Sequence, residues 1–459
     1  MLGPHACAGL GIIILATVGA SSIQAAASMS IISERSRYKG WNSHKLANEF
    51  VGIEVVPEIG GRVIQYRLGN RELFWVNPQL AGKIPPASGL GPRGEWLNYG
   101  GDKLWPAPQG WVNEDQWPGP PDAILDGSPH VLEIPEARPG EVAVRLTSKP
   151  DPRTGVQFSR TVRLQAGITR VVIDATMKNI SHKPRRWGIW TVTQIDGARA
   201  DGRGFNPEIN AYCPINPKSR YVEGYQVLFG ATNNPTFQTL GDRCLFQLKY
   251  QYQVGKVALD SHAGWSATVD GSDGAVFVQR FRWEPKKEYP DGASVEFWSS
   301  GLGKIHAYGQ EMEMSKDPRE TPYLIECELL SPFASLQPGE QYEWRYEWCA
   351  SNLGGNYPVV DCNDEAVIAE PLRARIIENQ VRVTTQLGVL REGWLRVCFL
   401  DKRQHLMPGK TRKKVTPFEG VGLDAKETLP PNAEEVALLL ENDRGEVIAE
   451  LARRKILRR

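Results

Sequence analysis

The 459-residue chain carries 54 Lys and Arg against 53 Asp and Glu, a formal net charge of +1, with 41% apolar and 23% charged residues. That balance suits a globular protein and removes the electrostatic case for nucleic-acid binding. The length calls for a large domain plus a smaller one.

In chain order, the first feature is the apolar run "GLGIIILATVGASSI", followed by small residues in "IQAAAS". It predicts a removable signal peptide over residues 1–28 and a periplasmic or secreted protein. The run is too short and glycine-rich for a comfortable membrane span, and no later stretch offers one. From "FVGIEVVPEIGGRVIQYRLGNRELFWVN" onward, apolar and polar residues alternate between Gly, Pro, Asn and Asp turns. The same texture returns in "VAVRLTSK", "TRVVIDATMKNIS", "AVFVQRFRWE" and "YEWRYEWCAS". Helical periodicity is almost absent, so the prediction is all-β: a large antiparallel sandwich over residues 35–355. The pattern breaks at "LGGNYPVVDCNDEA", and residues 366–459 form a second strand set, of a size for a small β-sandwich. The terminal "RRKILRR" reads as a solvated tail.

Within this pattern "NYGGDKLWPAPQGW", residues 98–111, reads as a loop with an unusual load of rings and an Asp102–Lys103 pair. A desolvated lysine serves as an acid, a base or an anion-binding point charge, and Asp102 is placed to hold it. In "EYPDGASVEFW", Tyr289 and Asp291 are further candidates for a cleft, beside the plain turn signal of "PDG". In "PYLIECELL", Glu326 and Glu328 are two apart and share one face of a strand, with Ile325, Cys327 and Leu329 on the other.

Cys213, Cys244, Cys327, Cys349, Cys362 and Cys398 follow the expected leader, with Cys213–Cys244 and Cys349–Cys362 the candidate disulfides. Their spacings resemble no zinc site, and no metal or cofactor is expected. G-x-S-x-G, phosphate-loop and dinucleotide fingerprints are absent.

The hairpin "IEVVPEIGGRVIQYRLGNRELFWVNP", the glutamate strand and the closing "SPFASLQPGEQYEWRYEW" together resemble the galactose mutarotase-like (aldose 1-epimerase-like) superfamily. "NYGGDKLWPAPQGW", "WTVTQID" and "EYPDGASVEFW" resemble a bacterial family of unknown function within it, over roughly residues 45–350. The resemblance implies a β-supersandwich that binds carbohydrate. It also implies a glutamate base at Glu326 or Glu328 and an acid histidine on the strand "WGIWTVTQID". That strand offers Thr191, Thr193 and Gln194 instead, and neither a hydroxyl nor an amide is an acid near neutral pH. Mutarotation by the family route is therefore disfavoured. Two readings follow. One is a carbohydrate-active enzyme (epimerase, lyase or hydrolase) using Glu326 or Glu328 with Lys103. The other is a non-catalytic glycan binder that lost the acid. In both, Asn98, Asp102, Trp105, Gln194, Tyr289 and Asp291 are the sugar-contacting candidates, with aromatic rings stacking on pyranose faces.

Overall fold

A computed structural model describes residues 31–136, 138–241, 244–378 and 380–457; the expected signal segment, residues 1–28, lies outside the described residues. Among the described residues, the only helical element is a 3-10 turn, Pro290–Gly292. No helix there is long and apolar enough to cross a membrane.

Two large antiparallel sheets, of 12 and 10 strands, make the main body. Period-two alternation decides what lies between them. In Leu324–Leu330, Ile325, Cys327 and Leu329 turn inward, and the Cys327 thiol meets the Thr268 hydroxyl of the opposite sheet at 2.9 Å. Phe297 stacks on Phe246 across the same gap at 5.7 Å. Burying one such ring contributes about 1.5–3 kcal/mol, so this interlayer is the main source of stability. Alternate residues of the 12-stranded sheet therefore point to its outer face.

Residues 361–455 form two further 4-stranded sheets that enclose a separate apolar core, including Val383, Leu395, Phe399 and Leu438. The all-β architecture, with a large sandwich followed by a small one, is as the strand pattern predicts. Two details differ. Residues 453–456 are no tail: Val447–Lys455 pairs with Glu435–Glu441, Arg453 is bridged to Glu450 at 2.6 Å, and Ile456 is buried. The six described cysteines are free thiols, so neither Cys213–Cys244 nor Cys349–Cys362 is joined. Cys213 is buried while Cys244 is exposed, which sets the first pair in different environments.

The small sandwich is not loosely tethered. Leu353, Val359, Val367, Ala369 and Leu390 cover Val276, Val278 and Trp265 on the outer face of the 10-stranded sheet. The junction over residues 353–366 is thus anchored in a buried apolar layer through Leu353 and Val359. Ending the chain at Leu353 uncovers that layer. We expect the shortened protein to lose several degrees of thermal midpoint and much of its soluble yield, measured by scanning fluorimetry. An unchanged midpoint would show that the two bodies are energetically independent.

Candidate active site

Five strands build the floor of the site. Asp102–Ala107, Arg185–Asp196, Leu324–Leu330, Val295–Ser299 and Gly255–Leu259 lie side by side in that order. Register fixes which side chains meet: Val192 stands opposite both Lys103 and Glu328, and Glu328 opposite Glu296. One step along, Gln194 faces Glu326, Glu326 faces Trp298, and Trp298 faces Lys256. The outer face of the sheet thus collects three carboxylates, two ammonium groups and an amide.

The deepest part is a charge cluster. Lys256 Nζ lies 2.7 Å from Glu296 and 3.0 Å from Glu328, all three being at least 95% buried. The Trp190 indole N–H donates to Glu328 Oε2 at 2.6 Å, and the same indole lies under the Lys256 ammonium at 4.2 Å. Burial raises both glutamates and Lys256 opposes that rise; the Glu296 charge adds to it at Glu328, and the Asp291 charge adds to it at Glu296. Burial alone would lower Lys256, but the two carboxylates overcome it and raise it. One cation cannot neutralise two dehydrated carboxylates, so the pair retains a proton into the neutral range, and Glu328 is the better holder. Its Oε1 has no hydrogen-bond partner, and neither has Oε1 of Glu296.

Beside it sits a second group. Glu326 Oε1 accepts from Gln194 Nε2 at 2.7 Å and lies 3.7 Å from Lys103 Nζ. Glu326 keeps 13% of its surface open to the cleft, whereas Lys103 keeps 2%. Desolvation lowers the Lys103 ammonium to about 8, against the pull of Glu326. Lys103 is flanked by Trp105 at 4.8 Å and Trp96 at 5.8 Å, and its Nζ lacks a hydrogen-bond acceptor.

The walls are aromatic, and the rings are pinned by buried acids. Trp96 and Trp105 both donate to Asp126, at 2.6 and 3.1 Å, and Trp117 donates to Asp122 at 2.9 Å. Asp126 is clamped in turn by Arg62 at 2.8 Å. The far wall is the exposed hairpin Lys304–Ala307/Gln310–Glu313. Its tip residue Tyr308 donates to the Pro120 carbonyl at 2.7 Å and packs on Trp111 at 4.9 Å. Together these enclose a cleft of about 280 Å³, with Trp96, Trp298, Gln194, Glu326 and Glu328 facing it.

The structure brings Glu326, Glu328, Gln194, Asn98 and Trp105 to this one cleft, with Lys103 against its floor. Four sequence expectations are corrected. Residues 102–107 are a fully buried strand rather than loop, because the ring-rich stretch pairs with Arg185–Asp196. Asp102, next to Lys103 in a strand, must point the opposite way. It lies between the sheets, bound to Arg160 and to the Thr193 hydroxyl at 2.7 Å, and does not hold Lys103. Trp105 is only 4% exposed, wedged against Trp117 at 4.8 Å and Trp190 at 5.3 Å, so it is largely a wall element. Tyr289 and Asp291 line a neighbouring groove instead.

Sequence reasoning missed Lys256, Glu296, Trp190 and Trp298. The available signal was a lone charge inside the short apolar strands "GKVAL" and "SVEFW". A wider groove of about 620 Å³ runs on the outer face of the 10-stranded sheet. Within it Arg280 is engaged with Asp364 at 2.8 Å and Arg345 with Asp174 at 2.6 Å.

This geometry defines a β-sandwich protein with an acid–base cleft on one sheet face. Residues 42–351 match a family described as a domain of unknown function, DUF4380, and the chain belongs to that family. Similar solved structures include a galactose mutarotase-like protein from Lactobacillus casei (11% identity, TM-score 0.42, covering 67% of this chain and 99% of that one). Another is a galactose mutarotase-like protein from Clostridium acetobutylicum (10% identity, TM-score 0.41, covering 71% and 99%). A TPR-domain containing protein from Parabacteroides distasonis is similar over 70% of this chain at 14% identity and a TM-score of 0.45. The match spans 48% of its length, about half of that protein.

The contrast between wall and contact rings is testable. Trp105→Ala removes a buried ring and is expected to cost about 3–5 kcal/mol of stability in denaturant melts. Trp298→Ala, at a partly exposed ring, should leave the melt nearly unchanged. The reverse order would mean that Trp298 rather than Trp105 supports the wall.

Proposed function

We propose that this protein binds a carbohydrate in the tryptophan-walled cleft and moves a proton on it, with Glu328 as general acid and Glu326 as general base. The observation that carries this reading is the pairing of unlike carboxyls a residue apart on one sheet face. Glu328 is dehydrated and shares a proton with Glu296, while Glu326 opens on the cleft. A buried carboxyl with raised proton affinity beside a second carboxyl open to the cleft is what acid–base catalysis on a polyol needs. Trp190 and Lys256 hold Glu328 Oε2, leaving Oε1 to deliver the proton. Gln194 orients Glu326 through Oε1. The acid that a histidine supplies in the epimerases comes here from the glutamate strand itself.

Trp298 and Trp96 offer ring faces for the apolar side of a pyranose, and the unpartnered Gln194 Oε1 accepts from a hydroxyl. The reaction class is proton transfer to or from a sugar oxygen or an acidic C–H, as in an epimerase, lyase or hydrolase. We further propose that the protein acts outside the cytoplasm, as the apolar run and small residues of residues 1–28 suggest. Mass spectrometry of exported material should find a start near residues 25–30. A full-length cytosolic product would overturn export.

Glu328→Gln and Glu326→Gln keep size and hydrogen bonding but remove the proton function. Each is expected to cut turnover by about 10²–10⁴ while leaving affinity within a few-fold. Because Glu328 works protonated and burial raises its carboxyl, the rate should fall as pH rises through that raised value. Glu328→Gln should lose this limb of the profile. A panel of neutral, uronic and sulfated sugars, followed by NMR for anomer exchange, epimerisation and bond cleavage, supplies the readout. Binding without turnover across the panel would replace this reading with that of a non-catalytic glycan binder.

A further inference from the structure

We infer that the cleft is one end of a longer track, and that the groove beyond Leu330 holds a second, acidic sugar unit, so that the ligand is an oligosaccharide of two or more residues. This rests on the carbohydrate reading above and names its substrate class.

The two cavities occupy successive positions on the same strands. Two residues before Glu296 comes Ser294, hydrogen-bonded through its main chain to Leu330, and two after Ala258 comes Asp260. Ser294 and Asp260 line a groove of about 360 Å³. The cleft and this groove therefore flank the Lys256–Glu296–Glu328 cluster on one sheet face. A cleft of about 280 Å³ is at the small end of ligand sites, with room for about one sugar ring. Asp291, at the groove's edge, is coupled electrostatically to both Lys256 and Glu328, which places it close to the cluster.

The groove has the parts of a sugar subsite. The Trp283 ring carries the His262 ring stacked at 3.8 Å, an aromatic step with a polar edge where His262 Nε2 lies 3.1 Å from Asn216. Its charges are unequally engaged. The Asp260 carboxylate is occupied by the Ser219 hydroxyl at 2.7 Å and the Arg220 main-chain N–H at 2.9 Å. The Arg220 guanidinium has no carboxylate partner among the described residues. It lies directly over Gly292, where a Cβ would stand 2.5 Å from Nη1, so a side chain at position 292 would displace it. An unpaired guanidinium at an aromatic groove suits a sugar carboxylate, which it engages through two parallel hydrogen bonds.

The test is titration calorimetry of the full chain with galacturonic acid and its oligomers up to the tetramer, and with glucose and the matching cello-oligosaccharides. The uronate series should gain at least about tenfold in affinity from monomer to trimer, with a smaller gain in the neutral series. Arg220→Gln, on an exposed side chain, should abolish the uronate gain while leaving monomer affinity intact. Trp298→Ala should weaken all lengths alike. If Arg220→Gln binds every length as the parent does, or neutral chains gain as much as uronates, the second subsite is wrong while the cleft reading stands. If no sugar of any length binds, the cleft reading fails and the track with it.

Discussion

Everything at this site depends on one buried ammonium group shared by two carboxylates. Placing Lys256, Glu296 and Glu328 out of water carries a heavy desolvation cost, and only close mutual contact offsets it. Antiparallel register supplies that contact without a loop: Glu296 faces Glu328 directly, and Lys256 enters from the adjoining strand, opposite Trp298. A sheet is stiffer than a loop, so the three groups cannot drift apart to hydrate separately. The imbalance of one cation against two acids is therefore built in, and it keeps a proton on a glutamate.

The surrounding structure serves that constraint by excluding water. Trp190 lies under the ammonium and bonds the acid, while Trp105, Trp117 and Trp96 extend the same apolar wall. Each indole needs a partner for its N–H, and buried Asp122 and Asp126 provide them from an irregular segment. That segment is fixed by the "PEIGGR" turn. Gly60, at φ +76, approaches so closely that a Cβ would stand 2.1 Å from the Asp126 carbonyl oxygen, and Arg62 reaches the Asp126 carboxylate. A turn signal that marks a hairpin in the sequence thus also positions the tryptophan wall, some forty residues downstream along the chain by rough count.

What was legible in the sequence follows from what period two can carry. Alternation alone gave the all-β class and the shared face of Glu326 and Glu328, because both are local properties of a strand. The direction of Asp102 was equally local, but depended on recognising residues 102–107 as a strand, and the glycines, prolines and rings there spoke for a loop. Lys256 and Glu296 were not legible because their meaning lies in cross-strand partners separated by forty or so positions in the chain, and one charge in a short apolar strand reads as a chance surface residue. Ring exposure was hidden for the same reason: Trp105 and Trp298 look alike in sequence, and only packing separates wall from contact.

The missing histidine then takes on a different meaning. On the Arg185–Asp196 strand the cleft-facing positions are Trp190, Val192 and Gln194, none of them an acid. Taken alone, that argues for a fold emptied of chemistry. Yet Trp190 and Gln194 each donate to a glutamate of the next strand, at 2.6 and 2.7 Å, one to the buried carboxyl and one to the open one. A strand with no acid at positions 190, 192 and 194 instead supplies the hydrogen bonds that orient two carboxyls in different environments. In the proposed reaction the proton function falls to the neighbouring strand, where burial, Lys256 and Glu296, rather than an imidazole, set the affinity of Glu328. Fold and chemistry are separable here in a concrete way: the sheet fixes which face is occupied, and the choice of strand that bears the acid is free to move within that face.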